Sequence, residues 1–260
     1  MSAGAPAAAP VLTEAAGGTL VITINRPEAR NAVNLAVARS IAAALEELDA
    51  DERLLTAVLT GAGTAFCAGM DLKAFLAGER PIIPGRGFAG ITERSAEKPV
   101  IAAVEGYAVA GGCEIALACD MIVASDDARF GLPEVSRGLI AGAGGLLRLP
   151  QRIPRAVAME LALTGEMIDA ARALELGLVN RVVPAGRALD AAMELARRIA
   201  ANAPLAVRAS KRVIVESPRW PPAEAFDRQR EILDQVADSL DAREGALAFT
   251  QKRPPVWHAR

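Results

Sequence analysis

Between Pro99 and Ala124 the chain is apolar apart from Glu105, Glu114, Asp120 and several glycines. No other stretch constrains the fold as strongly. Apolar side chains at this density must leave water, yet a membrane span rarely tolerates three ionised side chains near its centre. The stretch therefore reads as a buried strand, Val100–Val104, then a turn, a short helix, Gly111–Cys119, and a second strand, Met121–Ala124.

The rest of the chain falls into place around it. Thr19–Asn25 is β-branched and bounded by Gly18 and Pro27, which reads as a strand. Val37, Ile41, Ala44, Leu45 and Leu48 recur at helical spacing across residues 34–49. Leu55–Thr60 reads as another strand, after which Asp71 reads as a helix N-cap. Pro and Gly break the pattern between Gly78 and Gly90, which implies a mobile surface loop. Helices are expected at Gly144–Leu149 and Arg155–Thr164, with a strand at Leu178–Val183 after the stop at Gly177. Beyond Pro184 only helical patterns follow: Arg187–Asn202, Leu205–Glu216, Ala223–Asp238 and a shorter one at Arg243–Lys252. Strands alternating with helices, then helices alone, predict an α/β core over residues 11–184 and a C-terminal helical region over 185–260. Residues 1–10, MSAGAPAAAP, lack the basic and apolar segments of a signal peptide and read as a disordered arm.

Several chemistries are excluded. The single histidine, His258, stands near the C-terminus, so neither a Ser–His–Asp nor a Cys–His nucleophile system fits. His/Cys zinc sites fail for the same reason, and no metal site is expected. Cys67, Cys113 and Cys119 form an odd set with no disulfide pattern, which suits a reducing cytoplasm and small core residues. No P-loop is present, and Gly142-Ala-Gly144-Gly145 lacks the sixth-position glycine of the dinucleotide fingerprint. A net charge of −2 provides no field for nucleic acid or an anionic membrane. Carboxylates and backbone amides remain.

Both are supplied mid-chain. Ala110-Gly111-Gly112 opens a helix, so its small residues admit a ligand and its free N–H groups point outward. The segment Ala65–Lys73 repeats that form, a glycine turn leading into a capped helix start. Such amides can hold a developing oxyanion. Glu114 and Glu134 both sit among apolar residues, the setting that raises a carboxyl pKa towards neutrality. As a pair they suit general acid/base work; singly, each also suits a helix-dipole partner.

Residues 101–121, with Val-Glu105-Gly106-Tyr-Ala-Val-Ala110-Gly111-Gly112-Cys-Glu114 at their centre, resemble the signature of the enoyl-CoA hydratase/isomerase (crotonase) family. Asn25-Arg26-Pro27 through Asn31-Ala32, Phe66–Lys73, Gly131-Leu-Pro-Glu134 and Gly142–Leu149 resemble further motifs of that family, as does Glu244 to Arg253. The resemblance spans about residues 18–256. It implies a core of repeated β-β-α turns, with a helical C-terminal part used in trimerisation. The implied substrates are acyl-CoA thioesters, with no cofactor besides the coenzyme A they carry. It implies an oxyanion hole made by the Met70 and Gly111 N–H groups, and places Ala68, Asp71, Leu72 and Lys73 near the CoA. Arg26, Arg30 and Lys252 are weaker candidates for its phosphates, the two arginines being equally readable as surface charge.

Many relatives that are not hydratases lack one glutamate, whereas both positions match here. The implied activity is therefore reversible syn addition of water to a 2-enoyl-CoA, with Glu114 orienting water and Glu134 exchanging the α-proton. Alternatives within the fold are an isomerase, or a dehydratase of carnitinyl- or another hydroxyacyl-CoA. An alternative from another class, a scaffold binding RNA or protein, is opposed by the acidic balance and the single tyrosine. The expected assembly is a homotrimer or a dimer of trimers.

Overall fold

The computed structural model describes residues 9–259. A hairpin of β1 (Val11–Ala16) and β2 (Thr19–Ile24) opens the chain. Then come α1 (Leu35–Ala50), β3 (Thr56–Gly61), α2 (Leu72–Leu76) and a small hairpin of β4 (Ile82–Ile83) and β5 (Gly87–Phe88). The central stretch holds β6 (Val100–Val104), β7 (Tyr107–Val109), α3 (Gly111–Ala118), β8 (Met121–Ser125) and β9 (Arg129–Gly131). A 3-10 turn, Pro133–Arg137, leads to α4 (Gly145–Arg152), α5 (Arg155–Thr164), β10 (Met167–Asp169), α6 (Ala170–Glu175) and β11 (Arg181–Val183). Four helices finish the chain: α7 (Ala188–Ala200), α8 (Pro204–Glu216), α9 (Ala225–Ala237) and α10 (Leu240–Thr250).

The main sheet has the order β1-β2-β3-β6-β8-β11, parallel from β2 onward. A smaller sheet, β10-β9-β7, stands beside it. The successive pairs β6–β7, leading into α3, and β8–β9, leading through the 133–137 turn into α4, each place one strand in the main sheet and one in the smaller sheet. They build the repeated β-β-α turns expected of the core, whereas the β2–α1–β3 unit keeps both its strands in the main sheet. Both faces of the main sheet are covered, which explains why Val100–Val104 is apolar at every position. One face joins the large core that includes Ile22, Leu59 and Val104. On the other, Val58, Ile101, Ala103 and Val123 pack against Ala188, Ala192 and Ala196 of α7. Alanines four residues apart form a smooth stripe that lets α7 lie close to the strands.

The three charges that interrupt the central stretch have local structural partners. Glu105 accepts the Gly186 and Ala188 N–H groups at 2.9 and 2.8 Å, fixing the start of α7. Asp120 accepts the Val100 N–H at 2.7 Å and pairs with Lys211 at 2.7 Å. Glu114 accepts two further backbone N–H groups, described below.

Several expectations change. Pro184 marks a change of element type and not a packing boundary, because α7 completes the core below the sheet. Residues 1–8 of the expected arm lie outside the described residues. Ala9 and Pro10 are tied to Asn25, through its side chain at 3.0 Å and its N–H at 2.8 Å, and so continue the first hairpin. The segment 78–90 is not a surface loop throughout: Arg86–Gly90 are buried, with Phe88 packed beneath α3. The expected strand 178–183 shortens to Arg181–Val183, with Leu178 and Val179 buried just before it. No helix among the described residues is long and apolar enough to cross a membrane.

Candidate active site

Two turns meet at the N-terminus of α3. Cys67 bridges Ala108 in parallel register, which brings the 65–71 turn against β7. Gly69 has φ +91°, and a Cβ there would lie 2.9 Å from the Gly111 nitrogen. Both the backbone conformation and the close approach therefore require glycine. Gly112 is constrained more tightly still, since a Cβ would lie 2.0 Å from the Cys67 carbonyl oxygen.

The flanking hydrogen bonds isolate two donors. Val33 donates to the Gly69 carbonyl at 2.8 Å, and Asp71 donates to the Val33 carbonyl at 2.9 Å. The Met70 N–H between them has no acceptor among the described residues. Ala110 donates to the Gly131 carbonyl at 2.9 Å and holds φ at +52°. A non-glycine residue in such a conformation costs about 1–3 kcal/mol. That turn aims the Gly111 N–H out of the helix start, also without an acceptor among the described residues. Phe88 closes the opposite side, with its ring 2.7 Å from where a Gly111 Cβ would stand.

Glu114, in the first turn of α3, is 3% exposed. Its Oε1 accepts the Ala143 N–H at 2.7 Å and the Gly145 N–H at 2.9 Å. Burial raises its pKa; those two N–H groups and the Arg148 charge oppose the rise. Glu134 lies in the 3-10 turn that Pro133 initiates. Its Oε2 is buried with no hydrogen-bond partner among the described residues. Burial, then the nearby Glu114 charge, push its carboxyl up to about 7, against its own backbone N–H and Arg137. The two carboxyls differ in kind: one is anchored by two amides of another segment, the other leaves its Oε2 without a partner among the described residues and is poised to titrate near neutrality.

Both carboxyls line one cleft of about 1490 Å³ together with Ala68, Met70, Leu72 and Gly111. Five other candidates lie outside its lining. Asp71 caps α2, accepting the Lys73 and Ala74 N–H groups at 3.1 and 3.2 Å, and pairs with Arg26 at 3.0 Å. Arg26 also donates to the Ala32 carbonyl at 2.6 Å, so this guanidinium braces the first turn and is not free for a phosphate. Arg30 and Lys73 are exposed. Lys252 is exposed as well, with φ +52° just past α10. Phe88 and the Ala143 and Gly145 amides are components that sequence reasoning did not single out. The one signal for Phe88 was an aromatic residue within a Gly/Pro-rich stretch. Among the described residues no group of three or more His, Cys, Asp or Glu side chains is placed to hold a metal ion.

Known proteins match this arrangement over nearly the whole chain. The sequence model of the enoyl-CoA hydratase/isomerase family matches residues 14–260. A carnitinyl-CoA dehydratase of Proteus mirabilis is 43% identical over 252 residues, 94% of this chain and 96% of the relative. The crystal structure of an enoyl-CoA hydratase from Mycobacterium tuberculosis superposes with a TM-score of 0.95 at 58% identity, covering 97% of this chain and 100% of the other. A carnitinyl-CoA hydratase from Mycobacterium avium gives a TM-score of 0.78 at 48% identity, covering 97% of this chain and 99% of the other.

Proposed function

Because the chain belongs to the enoyl-CoA hydratase/isomerase family, we propose that it interconverts a 3-hydroxyacyl-CoA and a 2-enoyl-CoA by removing or adding water. It is a crotonase-type acyl-CoA enzyme of the hydro-lyase kind. The observation that carries the finer reading is the pairing of an amide-anchored Glu114 with an unpartnered Glu134 beside two free N–H groups.

In hydration, the Met70 and Gly111 N–H groups hold the thioester oxygen as negative charge develops on it. Ionised Glu114 takes a proton from water, whose oxygen bonds to Cβ; protonated Glu134 then delivers its proton to Cα. The electron pair of the double bond is held meanwhile as the enolate. Dehydration runs these steps in reverse. With both carboxyls acting from one side of the bound thioester, H and OH add to one face. No electrons are transferred, and the steps need no cofactor beyond the coenzyme A of the substrate. Ala68 and Leu72 adjoin the hole and suit the CoA arm, with exposed Lys73 near its phosphates.

The curated relatives named carnitinyl-CoA dehydratase support the elimination direction on a 3-hydroxyacyl-CoA better than hydration of a simple enoyl thioester. Incubation with crotonyl-CoA and with carnitinyl-CoA, following absorbance of the conjugated thioester, tests both. Loss of the signal with the first, or its gain with the second, is expected; no change with either overturns the hydro-lyase reading.

The pH profile follows from Glu134. Hydration needs its protonated form, so kcat/KM for hydration falls as pH rises through about 7. Dehydration needs the ionised form, and its kcat/KM falls as pH drops through the same value. Profiles that rise where these fall contradict the proton roles.

The C-terminal helices leave Phe226, Leu233, Leu247 and Phe249 at 77, 56, 48 and 85% exposure. Closed symmetric association is the usual cover for such a self-complementary surface. We expect a homotrimer or a dimer of trimers, which also gives Lys252 a route to a neighbouring cleft. Size-exclusion chromatography with light scattering should return three or six times 27.0 kDa; a mass near 27.0 kDa contradicts the assembly.

A further inference from the structure

The cleft does not stop at the glutamates. It continues along α3 to a lobe beyond the C-terminal end of that helix, walled by Leu117, Leu147 and Ile214 and by three guanidiniums. Arg148 and Arg152 stand one turn apart on α4, and Arg219 reaches in from the 3-10 turn after α8. Arg148 donates to the Thr92 carbonyl at 2.5 Å, and Arg152 donates to the Leu117 and Cys119 carbonyls at 3.1 and 2.5 Å. None of the three forms an ion pair among the described residues.

The carboxylates lining the cleft offset that charge only in part, Glu114 acting on Arg148 and Asp120 on Arg152 without an ion pair to either among the described residues. Asp120 is taken by Lys211 at 2.7 Å, and Glu114 by backbone amides. Glu134 approaches Arg137, while Glu93 is exposed and unpaired among the described residues. Burial holds the Arg148 guanidinium below its ordinary range, and Arg152 and Arg219 push it further the same way. Thr92, 2% exposed, lines the same cleft, with its Oγ1 buried and without a partner among the described residues. Partly buried like charges are costly unless an anion offsets them. Guanidinium forks match a carboxylate two bonds at a time.

We propose that this lobe binds the carboxylate at the far end of the acyl chain, so that the substrate is the CoA thioester of a dicarboxylic acid. This inference rests on the acyl-CoA reading and names its substrate class. The free N–H groups, Ala68 and Leu72 gather at the N-terminal end of α3, whereas the arginines gather at the other end. From Glu114 to Ala118 the helix rises about 6 Å, the reach of a short acyl chain. A carnitinyl group, which ends in a quaternary ammonium, meets like charge there.

Calorimetric binding of glutaryl-CoA and pentanoyl-CoA tests the proposal, since neither saturated thioester can be hydrated. Glutaryl-CoA should bind at least ~10-fold more tightly to the wild type, the worth of one charge-assisted hydrogen bond. Arg219→Gln should erase most of that advantage and leave pentanoyl-CoA affinity unchanged, while Arg219→Lys should keep part of it. Equal affinities in the wild type, or an advantage that survives Arg219→Gln, overturn the proposal. So does an equal loss for both thioesters and free CoA, which would assign the arginines to the CoA phosphates. Failure of the hydro-lyase reading appears separately, as inactivity towards crotonyl-CoA, carnitinyl-CoA and the unsaturated dicarboxylic thioester glutaconyl-CoA alike.

Discussion

Glu134→Gln is expected to lower kcat by at least ~10²-fold in either direction, the minimum contribution of a positioned acid or base. The amide keeps the size of the side chain and its place in the 133–137 turn, but it neither gives nor takes a proton at pH 7. Because Glu134 Oε2 has no partner among the described residues, the substitution breaks no hydrogen bond seen at that atom and should leave the fold and CoA affinity nearly intact. Steady-state kinetics beside a CoA titration separate these quantities. A variant that retains more than about a tenth of wild-type kcat contradicts the assignment.

The second large effect concerns a backbone donor. Gly111→Pro removes one of the two free N–H groups and should lower kcat by about 10²–10³-fold. Proline is compatible with the first position of a helix, so the helix itself tolerates the change. The added ring atoms press on Phe88, however, which stands 2.7 Å from the Cβ position. Gly111→Ala adds the same Cβ and keeps the N–H; the excess loss in the proline variant over the alanine variant isolates the donor. Met70→Leu, which alters only a side chain, should cost far less than Gly111→Pro. Comparable losses from Met70→Leu and Gly111→Pro in folded protein contradict a backbone hole.

The parts of this molecule governed by local chemistry were legible in the sequence. An apolar run broken at Gly106 and Gly111-Gly112 specified strand, turn and helix, because burial and glycine conformation act within a few residues. The carboxyls, both glycine turns and the capping role of Asp71 were legible for the same reason. What escaped depends on partners far along the chain. The three-residue strands β7, β9 and β10 are too short to carry a period of their own. The burial of Arg86–Gly90 is set by α3 and α1 closing over a stretch whose Pro and Gly content suggests mobility. Arg26 was read as a candidate for CoA phosphate, yet Asp71, 45 positions away, engages it. The helices after Pro184 were legible as helices, but not the packing of α7 under the sheet, since an amphipathic pattern shows that a helix has a face to bury and not which element covers it.

Reaction of crotonyl-CoA in D₂O, with the product examined by proton NMR, tests the central claim most directly. With Glu114 and Glu134 acting from one cleft, the 3-hydroxyacyl product should carry one deuterium at Cα, on the same face as the new hydroxyl. Glu134→Gln should form this product at least ~10²-fold more slowly. Deuterium on the opposite face, a mixture of faces, or deuterium at Cγ from migration of the double bond would contradict water addition by this pair of carboxyls.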